Sequence, residues 1–379
     1  MDVKKALLGL ALALSLSFGS VVIAADYDKG LKAAHSGDFK TALEEWAPLA
    51  EQGIASAQYS LGFMYQNGQG VLQNYKTAVK WYTLAAEQGI AIAQYNLGFM
   101  YQNGQGVLQN YKAVVKWYTL AAEQGFARAQ HNLGFMYDNG QGVLQNYKTA
   151  VKWYTLAAEQ GFVNTQHNLG VMYQNGQGVL QNYKTALQWY TLAAEQGFAS
   201  AEYNLGSMYY SGQGVLQNYK TSIKWYTLAA EQGFARAQHN LGVMYDNGQG
   251  VLQNYKTALK WYTLAAEQGF ASAEYNLGFM YYSGQDVLQN YKTAVKWYTV
   301  AAEQGFAGAQ NNLGLMYENG QGVLIDAKRA YMWFDIGAFN DSGLGDENRI
   351  RIAKIMTPVQ IEKAQDMASR CLKSNYTDC

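Results

Sequence analysis

Cysteine and proline each occur only twice in the 379 residues. Two thiols cannot build a disulfide scaffold or a four-cysteine zinc site. So little proline excludes a Pro-rich linker architecture. Charge is also sparse, at 15%, and the 28 basic residues balance the 28 acidic ones. Neutrality argues against a basic nucleic-acid binder and against an acidic tail protein. Hydrophobic residues, at 49%, make the composition globular rather than disordered. What is plentiful is glycine, with 39 residues, which suits many short turns between helices.

The N-terminus reads as a targeting segment. Lys4 and Lys5 precede an apolar run from Ala6 to Phe18, and small residues follow, with Val22 and Ala24 at −3 and −1 of a cleavage site. This is the pattern of a secretory signal peptide over residues 1–24, and it places the mature chain in the periplasm or outside the cell. The alternative is an uncleaved anchor, because Ala6 to Ala25 is long enough to span a bilayer. No cysteine lies near the site to carry a lipid.

Internal repetition decides the rest. Tryptophan stands at 81, 117, 153, 189, 225, 261, 297 and 333, a step of 36, and Gly53 through Gly305 keep the same step. The chain therefore frames eight repeats over 54–341, beginning 54–89, 90–125 and 126–161. A single array of stacked units is expected rather than two or three domains.

Each repeat reads as a helical hairpin. In the second, residues 90–103 form the first helix, 104–110 the loop and 111–124 the second helix. Gly104 supplies a left-handed end to the first helix, and Asn110 caps the second. Ala93, Leu97, Met100 and Tyr101 share one side of the first helix, and Val114, Trp117, Tyr118 and Ala121 one side of the second. Neither helix can bury its face alone, so neighbours must stack. Gly98 lies inside a helix, where glycine costs about 1 kcal/mol against alanine, and it recurs in every repeat, which predicts a close helix–helix contact.

Leu97-Gly98-x-x-Tyr101 matches the L-G-x-x-Y of tetratricopeptide repeats, whose unit is about two residues shorter. With its G-x-G-V loop, A-x-x-W-Y second helix and closing A-A-x-x-G, the unit resembles the Sel-1-like repeat family of the tetratricopeptide-like superfamily. Asn74 and Asn110 stand where that family usually has aspartate, Asp326 restores it, and Asp286 replaces the second loop glycine of the seventh repeat. The resemblance implies an all-α, right-handed superhelical solenoid serving as an adaptor or scaffold in protein complexes, with first helices lining a concave groove. It implies no single activity.

Near-identity of the repeats makes their differences the informative part. The first helix varies at its third, sixth, tenth and thirteenth residues, which share one face. A packed core tolerates little change, so this stripe is the candidate groove. Its candidate contacts are Tyr95, His131, His167, Tyr203, His239 and Tyr275 at the sixth position, Phe99 and Phe135 at the tenth, and Tyr210 and Tyr282 at the thirteenth. The tenth row fits inter-repeat core equally well. Beside the stripe runs Asn96, Asn132, Asn168, Asn204, Asn240, Asn276 and Asn312, with Ser60 in the first repeat. Amides both donate and accept, so the row can hold an extended peptide backbone, or can instead brace its own repeat.

Enzyme signals are weak, and no catalytic, cofactor or metal residue is assigned. His131 and His167 sit in equivalent places of neighbouring repeats, about 8–10 Å apart for packed helices, too far to share a zinc ion. Thr77-x-x-Lys80 and Thr149-x-x-Lys152 mimic a serine β-lactamase spacing without its partner motifs. The reading is an exported binder of a protein or peptide, with no nucleic-acid partner. A cell-wall-associated enzyme regulator or glycan-binding scaffold stands second, and a β-lactamase-like hydrolase third. The ends read as caps: a hairpin over 25–53 turning at Ser36-Gly37-Asp38, and helices with a tail over 342–379. There Thr357-Pro358-Val359-Gln360 has capping-box spacing. In an oxidising compartment Cys371 and Cys379 are expected to pair.

Overall fold

The repeat register is built by the side chains that start and stop each helix. In the second repeat Asn110 accepts from the Ala113 amide at 3.1 Å and starts the helix Tyr111–Glu123. Gly104, at φ 66°, ends Ala91–Asn103. The same pair of signals recurs along the chain. The computed structural model describes residues 21–340 and 343–379, which hold twenty helices and no strand. Of the leader expected at 1–24, residues 1–20 lie outside the described residues. By its contacts the chain divides into two compact halves, Met1–Trp189 and Tyr190–Cys379.

The described part of the N-terminal half starts with the hairpin Val21–Ser36 and Phe39–Glu51. Helix pairs follow at Ala55–Asn67 with Tyr75–Glu87, Ala91–Asn103 with Tyr111–Glu123, and Ala127–Asn139 with Tyr147–Glu159, then Val163–Asn175. Ala93, Leu97 and Met100 of one helix and Val114, Trp117, Tyr118 and Ala121 of the next are buried, and Tyr101 is half-buried. Gly98 makes the predicted contact: a Cβ there would stand 2.7 Å from the Tyr118 ring. The second loop glycine meets a neighbour too. A Cβ on Gly142 would lie 2.5 Å from the carbonyl oxygen of Tyr111, where the preceding repeat's second helix starts. Each loop is thereby seated on the repeat before it.

The C-terminal half continues with Ala199–Ser211 and Tyr219–Glu231, Ala235–Asn247 and Tyr255–Ala266, Ala271–Ser283 and Tyr291–Glu303, and Ala307–Asn319 and Ala327–Phe339. Asp286 adopts the glycine-like φ of 53° at its loop position. Gly343–Ala353 and Pro358–Lys373 complete the half, the latter opened by the full Thr357–Gln360 capping box. Ala368 and Cys371 pack with Met332, Trp333 and Ile336 of the last repeat. Cys371 and Cys379 are disulfide-bonded with Cα atoms 4.7 Å apart.

Candidate binding face

The four variable positions of the first helix have different fates. At the third, Arg128, Asn164 and Arg236 are exposed. At the tenth, Phe99, Phe135 and Phe279 are 39–42% exposed, while Phe63, Val243 and Leu315 are partly buried against the core. The sixth position is packing. Tyr95 stacks on Tyr118 of its own repeat at 5.4 Å and meets Phe126 of the next at 5.1 Å. His131 holds the same place between Tyr154 and Phe162, Tyr203 between Tyr226 and Phe234, His239 between Tyr262 and Phe270, and Tyr275 between Tyr298 and Phe306. His167 is half-buried. Burial pushes the His131 pKa down to about 4 and lowers those of His167 and His239. His131 Nδ1 pairs with Thr165 Oγ1 at 2.7 Å, a neutral-ring contact.

The thirteenth position braces buried tyrosines. Tyr82 and Tyr118 donate to Gln66 and Gln102 at 2.6 and 2.8 Å, and Tyr262 to Asp246 at 3.2 Å. Tyr210 and Tyr282 instead make tilted ring contacts with Tyr219 and Tyr291, the first residues of their partner helices. Each asparagine of the row is half-buried. Asn96, Asn132, Asn204, Asn240 and Asn276 lie beside the hydroxyls of Tyr82, Tyr118, Tyr190, Tyr226 and Tyr262, whereas the buried hydroxyls of Tyr154 and Tyr298, near Asn168 and Asn312, make no hydrogen bond with the described residues. His239 bonds Asn240 and Asn276, both at 3.2 Å.

Three predicted site residues meet in one place. Tyr210, His239 and Asn240, with Tyr226, Val243 and Met244, line a cavity of about 170 Å³. It lies where the tenth position carries Ser207 and Val243 instead of phenylalanine.

Sequence reasoning missed a glutamine relay at the other end of the hairpin. Gln94 is buried and donates to the Ala86 carbonyl at 3.0 Å, and its own carbonyl accepts from Gln124 at 2.8 Å. Gln130 with Gln160 and Gln238 with Gln268 do the same. Asn340 replaces the second glutamine in the last repeat and also bonds Tyr376 of the disulfide-closed tail. The signal in the sequence is a glutamine three residues before Leu-Gly in six of the eight repeats, with glutamate in the other two.

The residues of the hydrolase-like spacing have local partners. Asn74 caps Thr77, and the Lys80 ammonium lies 5.3 Å over the Trp81 ring, as Lys152 does over Trp153 at 5.4 Å. Among the described residues no group of three His, Cys, Asp or Glu side chains could hold a metal ion.

Stacked helix pairs with a variable first-helix face define a helical-repeat scaffold protein. The Sel1 repeat pattern matches eight consecutive stretches, from 55–90 to 307–338, one residue later than the frame read from tryptophan. The chain belongs to the Sel1 repeat family. A Sel1 repeat protein from Oxalobacter formigenes is 30% identical with a TM-score of 0.67, over 90% of this chain and 98% of that one. The c5321 protein, a protective antigen of uropathogenic Escherichia coli strains with an SLR fold, is 32% identical with a TM-score of 0.55, over 99% and 96%. No curated protein matches the chain. The Sel1-repeat fold is typically a protein-interaction scaffold.

Proposed function

We propose that the protein is an exported adaptor that binds a protein or extended peptide along its first-helix face. The observation that carries this reading is the half-exposed phenylalanine at the tenth position of the first helix, Phe99 and Phe135 in the N-terminal half and Phe279 in the C-terminal half, with third positions that vary and include the exposed Arg128, Asn164 and Arg236. Aromatic rings held by a rigid helix are the residues that anchor partners, because they bury large apolar area at little entropic cost. The Asn row adds polar groups to this helix face, and in the C-terminal half the cavity lined by Tyr210 and His239 adds more. Export rests on the leader at 1–24, and a Cys371–Cys379 bond suits an oxidising compartment.

Replacing Phe99 by a photo-reactive phenylalanine should cross-link a partner in a periplasmic extract. The double change Phe99→Ser and Phe135→Ser should abolish that capture without lowering the melting temperature, since Ser207 occupies the equivalent place naturally. Unchanged capture by the double variant rejects the face. An intact mass that retains residues 1–24 rejects the cleaved leader.

A further inference from the structure

Among the described residues the most exposed apolar side chains are on the loops. Leu72, Leu108, Leu144 and Leu180 of the N-terminal half are 90–92% exposed. They are not exposed through looseness. Around Leu108, Gln109 donates to the Gln102 carbonyl at 2.7 Å, and the Asn110 amide to the Tyr101 carbonyl at 3.1 Å. Gly106 is seated on Tyr75 at the start of the preceding repeat's second helix. The loop is pinned on both sides and holds its leucine out. The seating of each loop on the repeat before it also makes these tips one continuous edge.

The same edge carries Lys76, Lys112, Lys148 and Lys184, all exposed, in the first turn of each second helix. Gly106 lies against the Tyr75–Lys76 peptide, so the lysine of one repeat flanks the loop of the next. From Gly68 to Lys80, and over the equivalent stretches of the next three repeats, there is no acidic residue. Asp138, the acid nearest these loops in sequence, is partly buried against Tyr154. Of the exposed acids, Glu87, Glu123 and Glu159 stand at the opposite ends of the second helices, while Asp38, beside Lys40, caps the helix Phe39–Glu51 at the near edge.

We infer that this leucine–lysine edge docks on an anionic lipid bilayer, the leucines entering the headgroup region and the lysines pairing with phosphate. Apolar tips ringed by cations fit that surface, and the acids at the far edge set the orientation. The uniformity of the edge selects a membrane over a protein. Every step repeats Leu-Gln-Asn-Tyr-Lys, so there is nothing to read a particular partner, whereas the first-helix face varies from repeat to repeat. A fluid, chemically uniform surface needs no reading.

The test is flotation of the mature chain with phosphatidylcholine vesicles containing about 30% phosphatidylglycerol, against phosphatidylcholine alone. The native chain should float with the anionic vesicles only, and less at high salt. Replacing Leu72, Leu108, Leu144 and Leu180 by serine should cut the bound fraction by about tenfold or more. Its circular dichroism and melting temperature should stay native, because these side chains touch little. Lys→Gln at 76, 112, 148 and 184 should remove the preference for anionic vesicles. The Phe99→Ser, Phe135→Ser variant should still float, which separates this edge from the proposed partner face. A native chain that does not float, or a fourfold serine variant that floats as well as native, overturns the assignment. Loss of a captured protein in the serine variant, with no vesicle binding by the native chain, assigns the edge to a protein instead.

Discussion

Gln232 donates its side-chain amide to the buried Glu202 carboxylate at 2.8 Å. Glu202 and Glu274 stand where six other repeats have the buried glutamine that also donates to the end of the preceding second helix. A carboxylate cannot make that donation, and the helices before these two residues stop at Ala194 and Ala266 instead of the following glutamate. Burial raises the pKa of both acids.

Glu202→Gln should therefore stabilise the chain by about 0.5–1.5 kcal/mol, one recovered hydrogen bond. With its folded pKa raised, the native glutamate contributes most below its unfolded pKa, and that contribution is lost as pH rises through the folded value. The melting-temperature gain of the variant should thus be larger at pH 7 than at pH 4. Equal gains at both would remove the carboxylate as the cause.

Gly98→Ala should destabilise by about 1–3 kcal/mol even though alanine is the better helix former. The added methyl has no room against Tyr118, which is fully buried and has nowhere to move. Chemical denaturation compared with a Gly→Ala change outside the array checks it.

Asp286→Gly should raise stability by about 1 kcal/mol, because an L side chain pays to hold a left-handed backbone. Thermal melts of the single variant decide the sign, and a lower melting temperature would show that the carboxylate has a compensating partner.

His131→Tyr should flatten acid sensitivity. The unfolded histidine takes a proton below about pH 6.5, while burial holds the folded ring neutral down to about 4. Stability from this site is present above 6.5 and falls as the pH drops toward 4. Tyrosine occupies this place in four repeats, so the variant should melt like native at pH 7 and above it at pH 5.

Substituting Asn168, Asn204 and Asn240 together by alanine should lower the melting temperature, at about 1 kcal/mol for each hydrogen bond lost, because Asn204 and Asn240 lie beside the buried tyrosines Tyr190 and Tyr226. It should also weaken partner capture measured well below the melt. Full-strength capture would remove the row from the binding face.

The hairpins, caps and glycine contacts were legible because each rests on a residue with one local meaning: Asn110 as a cap, Gly104 as a left-handed end, Gly98 as a missing Cβ. The candidate face was only partly legible. A helical stripe of variation marks a side, but whether Tyr95 or Phe99 faces water depends on what the next repeat brings. Phe126 covers Tyr95, and Phe99 stays 39% exposed. The glutamine relay was hidden for a related reason, since its partners are thirty residues apart in sequence.

The seating of Gly142 on Tyr111 is made between one repeat and its immediate predecessor, by residues that nearly every repeat shares. Removing or duplicating a stretch of 36 residues therefore regenerates the junction it interrupts. The array's length is then a heritable variable that recombination between near-identical gene segments can change in whole steps, lengthening or shortening the protein without an intermediate that fails to fold.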